Sequence, residues 1–262
     1  MTHARRFAAS APRPSRLTFL DRGRSTFIVH SNSLRERQAA ERKRRILDAA
    51  AHLVRQRRGT DFPMVALAEA AEVSPATPYN LFGSKASVLY ALLNRSLDEL
   101  TSEVLTFSTE DPIEHVLEAG AVAADLFARD AGFFRPLFQF LLGVRDEIDR
   151  PRFMDRSLEY WRHALRAADE RGLFPEEIDR EEFARQLLVH FAGVLELWVH
   201  EELDGPGFRA QIAYGAALLL ANIADRSSRA RLREILRTLK RELPRPVSFA
   251  VKRAVPTKGS AA

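Results

Sequence analysis

Six residues between positions 74 and 85 carry the side chains best suited to chemistry at close quarters: Ser74, Ala76, Thr77, Tyr79, Asn80 and Lys85. They form no nucleophile–base pair and no metal-ligand cluster. What they offer is hydrogen bonding from small or polar side chains, which is the chemistry of reading a nucleic acid. An asparagine amide matches the donor and acceptor of an adenine edge, and a threonine can meet a phosphate or a thymine methyl. Ala76 and Thr77 are small enough to bring a helix backbone close to a groove floor. Lys85 falls where a helix should begin, and a cation there opposes the helix dipole at a cost of about a few tenths of a kcal/mol. A phosphate over that helix end would reverse the sign, because the lysine and the free N–H groups both favour an anion. Plainer readings stand beside these: Tyr79 as packing between helices, Asn80 as a solvated surface residue, and Arg42, Lys43, Arg44 and Arg45 as a solvated basic face.

Residues of this kind reach a groove when two short helices are joined by a tight turn. Ile46, Ala49, Ala50, Leu53 and Val54 recur at helical spacing and predict a helix over 34–58, with Gly59 as its C′ residue. Pro63 suits the first turn of a second helix with Val65, Leu67, Ala68 and Ala71 as its inner face. Glu72, Val73 and Ser74 form the break. Ser74 followed by Pro75 reads as an N-cap with proline at N1. Gly83 and Ser84 close the third helix and cap a fourth over 85–106, whose inner face is Val88, Leu89, Leu92, Leu93, Leu97 and Leu100. Helical patterns continue over 112–129, 132–143, 151–171, 179–203, 207–225 and 227–242. No segment alternates with period two, so the expected class is all-α.

Charge is distributed unevenly. Residues 1–95 carry 17 Lys+Arg against 7 Asp+Glu, whereas 96–262 carry 23 against 28. A basic N-terminal third on a mildly acidic body is the footprint of a nucleic-acid-binding module attached to something else, or of a solvated basic tail. Residues 1–33, with Pro12, Pro14 and six arginines, are expected to form a disordered basic arm. Residues 244–262, with Pro244, Pro246, Pro256 and Gly259, are expected to form a disordered tail. There is no cysteine, so disulfides and thiolate metal sites are excluded. No apolar run has transmembrane length and the N-terminus lacks the apolar region of a secretory signal, so a cytoplasmic location and no membrane partner are expected.

The order Ile46-Leu47-Asp48-Ala49-Ala50, Leu67-Ala68-Glu69-Ala70-Ala71, Val73-Ser74, Tyr79-Asn80-Leu81-Phe82 and Ser84-Lys85 resembles the DNA-binding domain of the TetR family of transcriptional regulators. The match covers residues 38–100; beyond that, only helix number and chain length agree. The resemblance implies a helix–turn–helix DNA-binding domain over 34–84 and a helical ligand-binding and dimerisation domain over 85–243. It also implies double-stranded DNA as a partner, a homodimer, and an unknown small-molecule effector, with repression as the family's usual mode. It assigns phosphate contact to Lys85 and Tyr79, within a DNA-binding set of Ser74, Ala76, Thr77, Tyr79, Asn80, Lys85 and Arg44. Two features depart from the family pattern. Glu72 stands where glycine is common, at a turn that favours positive φ. Pro78 lies inside the recognition helix and either distorts its first turn or makes Thr77 its cap.

Two late helical segments are apolar over more than one face, as a dimer interface requires. The interface is expected at Phe191, Leu195, Trp198, Tyr214 and Ala217. The middle segments are rich in aromatics, and an apolar chamber for a lipophilic effector is expected, with Phe134, Phe138, Trp161, His163 and His190 as its contacts. Such an effector would act only through its preference for one conformation, the one whose two recognition helices are wrongly spaced for successive grooves. No catalytic residue, cofactor or metal is expected: G-x-S-x-G, H-E-x-x-H and phosphate-loop patterns are all missing, and His190 and His200 fall on different helix faces. The alternatives are a helical dimer that acts on proteins, with a degenerate helix–turn–helix, and a helical enzyme.

Overall fold

A computed structural model of the protein describes residues 22–104 and 107–243, which fold into ten helices with no strand among them. They are α1 (Arg22–Arg57), α2 (Met64–Ala70), α3 (Ala76–Phe82), α4 (Lys85–Val104), α5 (Pro112–Arg129), α6 (Ala131–Gly143), α7 (Asp149–Glu170), α8 (Arg180–Val199), α9 (Gly205–Leu220) and α10 (Arg226–Glu242). The expected tail, 244–262, and residues 1–21 of the expected arm lie outside the described residues. The chain divides into two compact units, 1–43 and 44–262.

In the first unit, α1 begins at Arg22, well before the expected start at 34, so residues 22–33 are helical and not part of a disordered arm. The last prolines before it are Pro12 and Pro14, and nothing between Arg22 and Arg57 breaks a helix. Once nucleated in the apolar half that follows Arg45, the helix extends upstream at little cost per residue.

In the second unit, four helix starts carry aspartate caps, while α9 ends at Leu220, short of the expected 225. Two further helix ends are set by left-handed residues. Asp111, Asp179, Asp204 and Asp225 cap α5, α8, α9 and α10, each accepting a backbone N–H of the first turn. α8 stops at Val199, short of the expected 203, because Glu201 takes the left-handed conformation and Glu202 N–H closes on Leu197 O. At the end of α1, Arg58 (φ 49°) occupies the C′ position expected for Gly59, and Gly59 N–H closes on Val54 O. α5 crosses α9 at Gly120, where a Cβ would lie 2.9 Å from Cγ2 of Ile212, so the two helices approach more closely than any larger residue allows.

The core is continuous. Ile46, Val54 and Leu67 at one end, Leu89, Leu92 and Leu137 in the middle, and Leu187, Ile212 and Leu220 at the other end are all fully buried. Val65 departs from the expected inner face of α2: it is exposed, and Met64 takes the buried position instead. Among the described residues, no helix is long and apolar enough to cross a membrane.

Candidate nucleic-acid interface and internal cavity

α2, the turn and α3 form the helix–turn–helix that the sequence implies. Glu72 adopts φ 51°, the conformation usually left to glycine, and Val73 N–H closes back on Ala68 O at 3.0 Å. A side chain in that region is disfavoured by roughly 1–2 kcal/mol. Arg45 compensates. From α1 its Nε donates to Ala71 O at 3.2 Å, and Nη2 donates to both Ala71 O and Glu72 O, the latter at 2.6 Å. The guanidinium therefore clamps the carbonyl end of α2, where a cation also meets the favourable end of the helix dipole. Arg45 accordingly has a structural task that the reading of 42–45 as one basic face did not separate.

Pro78 is accommodated in the first turn of α3. α3 starts at Ala76, so Pro78 occupies the third helical position, where its missing N–H would have had no intrahelical partner. Thr77 is helical, so the expectation that it caps the helix does not hold. Pro75 already has helical angles (φ −54°, ψ −29°), and Thr77 N–H reaches Ser74 O at 2.9 Å. The Ser74 and Thr77 hydroxyls share a 2.7 Å hydrogen bond. The pyrrolidine ring of Pro78 is buried, with Leu81 and Phe82 packing against the core beside it. The opposite face carries Ser74, Ala76, Tyr79 and Asn80 into solvent, with Tyr79 51% exposed. Exposure at that level argues against Tyr79 as packing between helices.

Gly83 ends α3 at φ 80°, and Ser84 Oγ then caps α4 by accepting Ser87 N–H at 3.0 Å. Lys85 is half-buried. Its Nζ lies 3.4 Å from Phe62 O and 5.6 Å from the centroid of the Phe62 ring, a weak resting place that an anion at the start of α4 would outcompete. Arg44 is exposed on α1 and pairs with Asp48 at 3.2 Å, while Asp48 also receives Arg95 at 2.7 Å. Exposed pairs of this kind contribute about 0–1 kcal/mol and leave Arg44 able to exchange partners.

The second feature is a cavity of about 100 Å³ within the helical body. Leu93, Leu97 and Leu100 of α4, Phe127 of α5, Phe138 and Leu141 of α6, Phe153 and Trp161 of α7, and Phe191 and Leu195 of α8 are among its walls. Two of the five expected contacts, Phe138 and Trp161, are therefore on the wall. The other three are not. Phe134 stands behind it, packed on Phe127 (4.8 Å between centroids) and Phe133 (4.9 Å). His163 belongs to a separate surface cleft with Asp98, Arg156 and Arg166, and stacks near Phe107. His190 turns toward α9, with Nε2 3.1 Å from Ile212 O and its ring filling the space over Gly215, where a Cβ would overlap it. Burial holds its pKa below the ordinary histidine range, opposed by hydrogen bonds to the Ile212 and Gln211 backbone. Sequence reasoning missed Arg150, the one charged side chain on the cavity wall. Its signal was present: an arginine on the apolar stripe that continues through Phe153, Ser157 and Trp161.

The expected interface residues are corrected in the same way. Phe191 and Leu195 line the cavity, Trp198 stacks on Phe208 at 5.0 Å, and Ala217 is fully buried. These side chains pack inside one chain, because the inner face of each helix is occupied by its own core. Of the five, Tyr214 alone is partly exposed. The outward apolar positions are others: Val189 (57% exposed), Gly193 and Leu197 on α8, and Leu218 (47%) on α9.

The chain has the fold of TetR-family transcriptional regulators. A regulator of that family from Rhodococcus sp. RHA1 superposes with a TM-score of 0.59 at 21% identity, over 72% of this chain and all of that one. FadR of Thermus thermophilus, a TetR-family repressor solved in complex with lauroyl-CoA, gives 0.60 at 24% identity over 70% of this chain and 96% of that one. SmeT of Stenotrophomonas maltophilia, the repressor of a multidrug efflux pump, gives 0.54 at 20% identity over 69% and 89%. No protein-family model matches the chain, and no curated protein sequence does.

Proposed function

We propose that the chain is a homodimeric transcriptional regulator, a repressor in its ligand-free form, whose α3 helices enter successive major grooves and which a lipophilic effector in the cavity releases from DNA. The observation that carries this reading is the two-sidedness of α3. Pro78, Leu81 and Phe82 face the core, while Ser74, Ala76, Tyr79 and Asn80 are exposed among the described residues. In this account Asn80 and Thr77 read base edges, and Tyr79, Lys85 and Arg44 hold phosphates. The alternative of a degenerate helix–turn–helix rested on Glu72 and Pro78; the Arg45 clamp on the turn and the first-turn place of Pro78 support the intact reading.

The dimer forms through the outer stripe of α8 and α9, with Val189, Gly193, Leu197, Tyr214 and Leu218 against the same residues of a second copy. Positions 189, 193 and 197 recur every four residues along one face of α8, the pattern of helices that pack in an antiparallel bundle. Effector binding acts through α4, which carries both cavity-lining leucines and, at its first residue, Lys85.

Fluorescence anisotropy with a duplex from the gene's own upstream region tests the reading. Lys85→Ala and Tyr79→Phe weaken binding to every duplex and reduce its salt dependence, whereas Asn80→Ala mainly relaxes sequence preference. Wild-type affinity in both phosphate variants would refute the assignment.

A further inference from the structure

The cavity wall is hydrocarbon and aromatic apart from Ser96, Ser157, Tyr160 and Arg150. The three hydroxyls are already donating: Ser96 to Leu92 O at 3.3 Å, Ser157 to Phe153 O at 2.9 Å, and Tyr160 to Ala119 O at 2.8 Å. Arg150 differs. It stands in the first turn of α7, half-buried, and Nη1 donates to Leu141 O at 2.7 Å. A guanidinium has five N–H donors, and the bond to Leu141 O occupies one of them. Asp146 is engaged elsewhere: its Oδ1 accepts the backbone N–H groups of Ile148 (3.0 Å), Asp149 (2.6 Å) and Arg150 (3.3 Å), which fixes the turn that aims Arg150.

Next to the lining residues Phe153 and Arg150, just behind the wall itself, is Tyr90. Tyr90 lies one turn before Leu93 on the same stripe of α4 that continues through Leu97 and Leu100, at 1% exposure. Its ring packs edgewise on Phe140 (6.2 Å) and against the cavity residue Phe153 (6.3 Å). Its hydroxyl is the one buried side-chain polar atom among the described residues without a hydrogen-bond partner. Burial, Asp146 and Asp149 push the phenol's pKa up, while Arg150 draws it down through its charge and a side-chain hydrogen-bonding contact, so the guanidinium meets the hydroxyl short of well-formed hydrogen-bond geometry. Leaving such a group unmade is costly, and a native structure retains it where something else completes it.

We propose that Arg150 and Tyr90 form a head-group subsite at the α4–α7 end of the cavity, and that the effector is an amphiphile with an apolar tail and a carboxylate head. This rests on the cavity's being the effector site. The arginine fork takes a carboxylate through paired N–H donors, and the tyrosine O–H donates to the same head. A carboxylate in an apolar chamber needs a cation, and Arg150 is the one that lines it. A neutral alcohol of the same length leaves the charge of the site unmatched, and sites built on buried polar groups discriminate strongly against such analogues.

Calorimetric titration of the full chain with dodecanoate, dodecan-1-ol and lauroyl-CoA tests this, using concentrations below micelle formation. Dodecanoate is expected to bind on the order of tenfold or more tighter than dodecan-1-ol. Arg150→Met removes that preference while keeping alcohol binding, and Arg150→Lys restores part of it. Tyr90→Phe weakens dodecanoate several-fold without lowering the melting temperature of the ligand-free protein, because only a poorly formed contact to Arg150 is lost. That outcome separates head-group recognition from a structural role. Equal affinity for acid and alcohol, or binding of lauroyl-CoA without dodecanoate, would overturn the subsite, as would failure of all three probes. DNA affinity of the ligand-free chain is measured alongside. Its absence with acid preference intact would refute the regulator reading and leave the subsite standing.

Discussion

α3 and α7 are both two-faced helices, yet they direct their polar side chains oppositely. α3 turns Tyr79 and Asn80 to solvent over a buried proline, whereas α7 turns Arg150 inward among Phe153, Met154 and Trp161. The exposed set is solvated and costs little to keep waiting for a partner. The inward residue Arg150 is half-buried among apolar side chains, where a polar group depends more on a partner than it does in open solvent. The two regions also differ in how they are held. The helix–turn–helix depends on one residue, Arg45, closing one turn, while the cavity is assembled from α4, α5, α6, α7 and α8 at once.

That contrast can be broken in graded ways. The largest effect is expected at the outer face of α8 and α9: Leu218→Glu places paired like charges in the dimer, costs on the order of 3–5 kcal/mol of association, and gives a monomer by light scattering, with the cavity unchanged. A dimer of wild-type stability would move the interface elsewhere. Next comes Arg45→Ala, which frees the carbonyls of Ala71 and Glu72 and should destabilise the N-terminal helices by about 2–3 kcal/mol in urea melts. Probe binding to the cavity should survive it. Glu72→Gly works in the opposite direction, relieving the left-handed φ for a gain of up to about 1 kcal/mol. No gain would mean that the Arg45 clamp already cancels the strain.

The smallest effect concerns pH. His190 has a folded-state pKa below its unfolded value, so above about 6.5 both states are neutral and it contributes nothing. As pH falls below that value the unfolded chain takes up the proton first, and the fold loses stability until the lowered pKa is passed. The melting temperature is therefore expected to drop between pH 7.5 and 5.5, and His190→Gln to flatten that drop. An unchanged slope in the variant would assign it to other groups.

The same contrast explains what could be read in the chain. Helix starts are local chemistry, and Asp111-Pro112, Asp204 and Asp225 announce them within a few residues. The helix–turn–helix was legible because its turn signals and its apolar positions occupy one short stretch. The interface residues were misassigned because periodicity marks an apolar face without saying which neighbour covers it, and Phe191, Leu195 and Trp198 turned out to face their own core. The N-terminal boundary was missed because composition suggested disorder where no residue forbids a helix. Tyr90 and Arg150 are sixty residues apart in sequence, and only the packing of α4 on α7 brings them together.

DNase footprinting of the ligand-free protein on its own upstream region tests the central claim most directly. The account predicts two protected half-sites of inverted sequence, centred about one helical turn or a multiple of it apart, both lost in Lys85→Ala. A protein that protects no discrete site at low salt, or protects a single unpaired one, would contradict it.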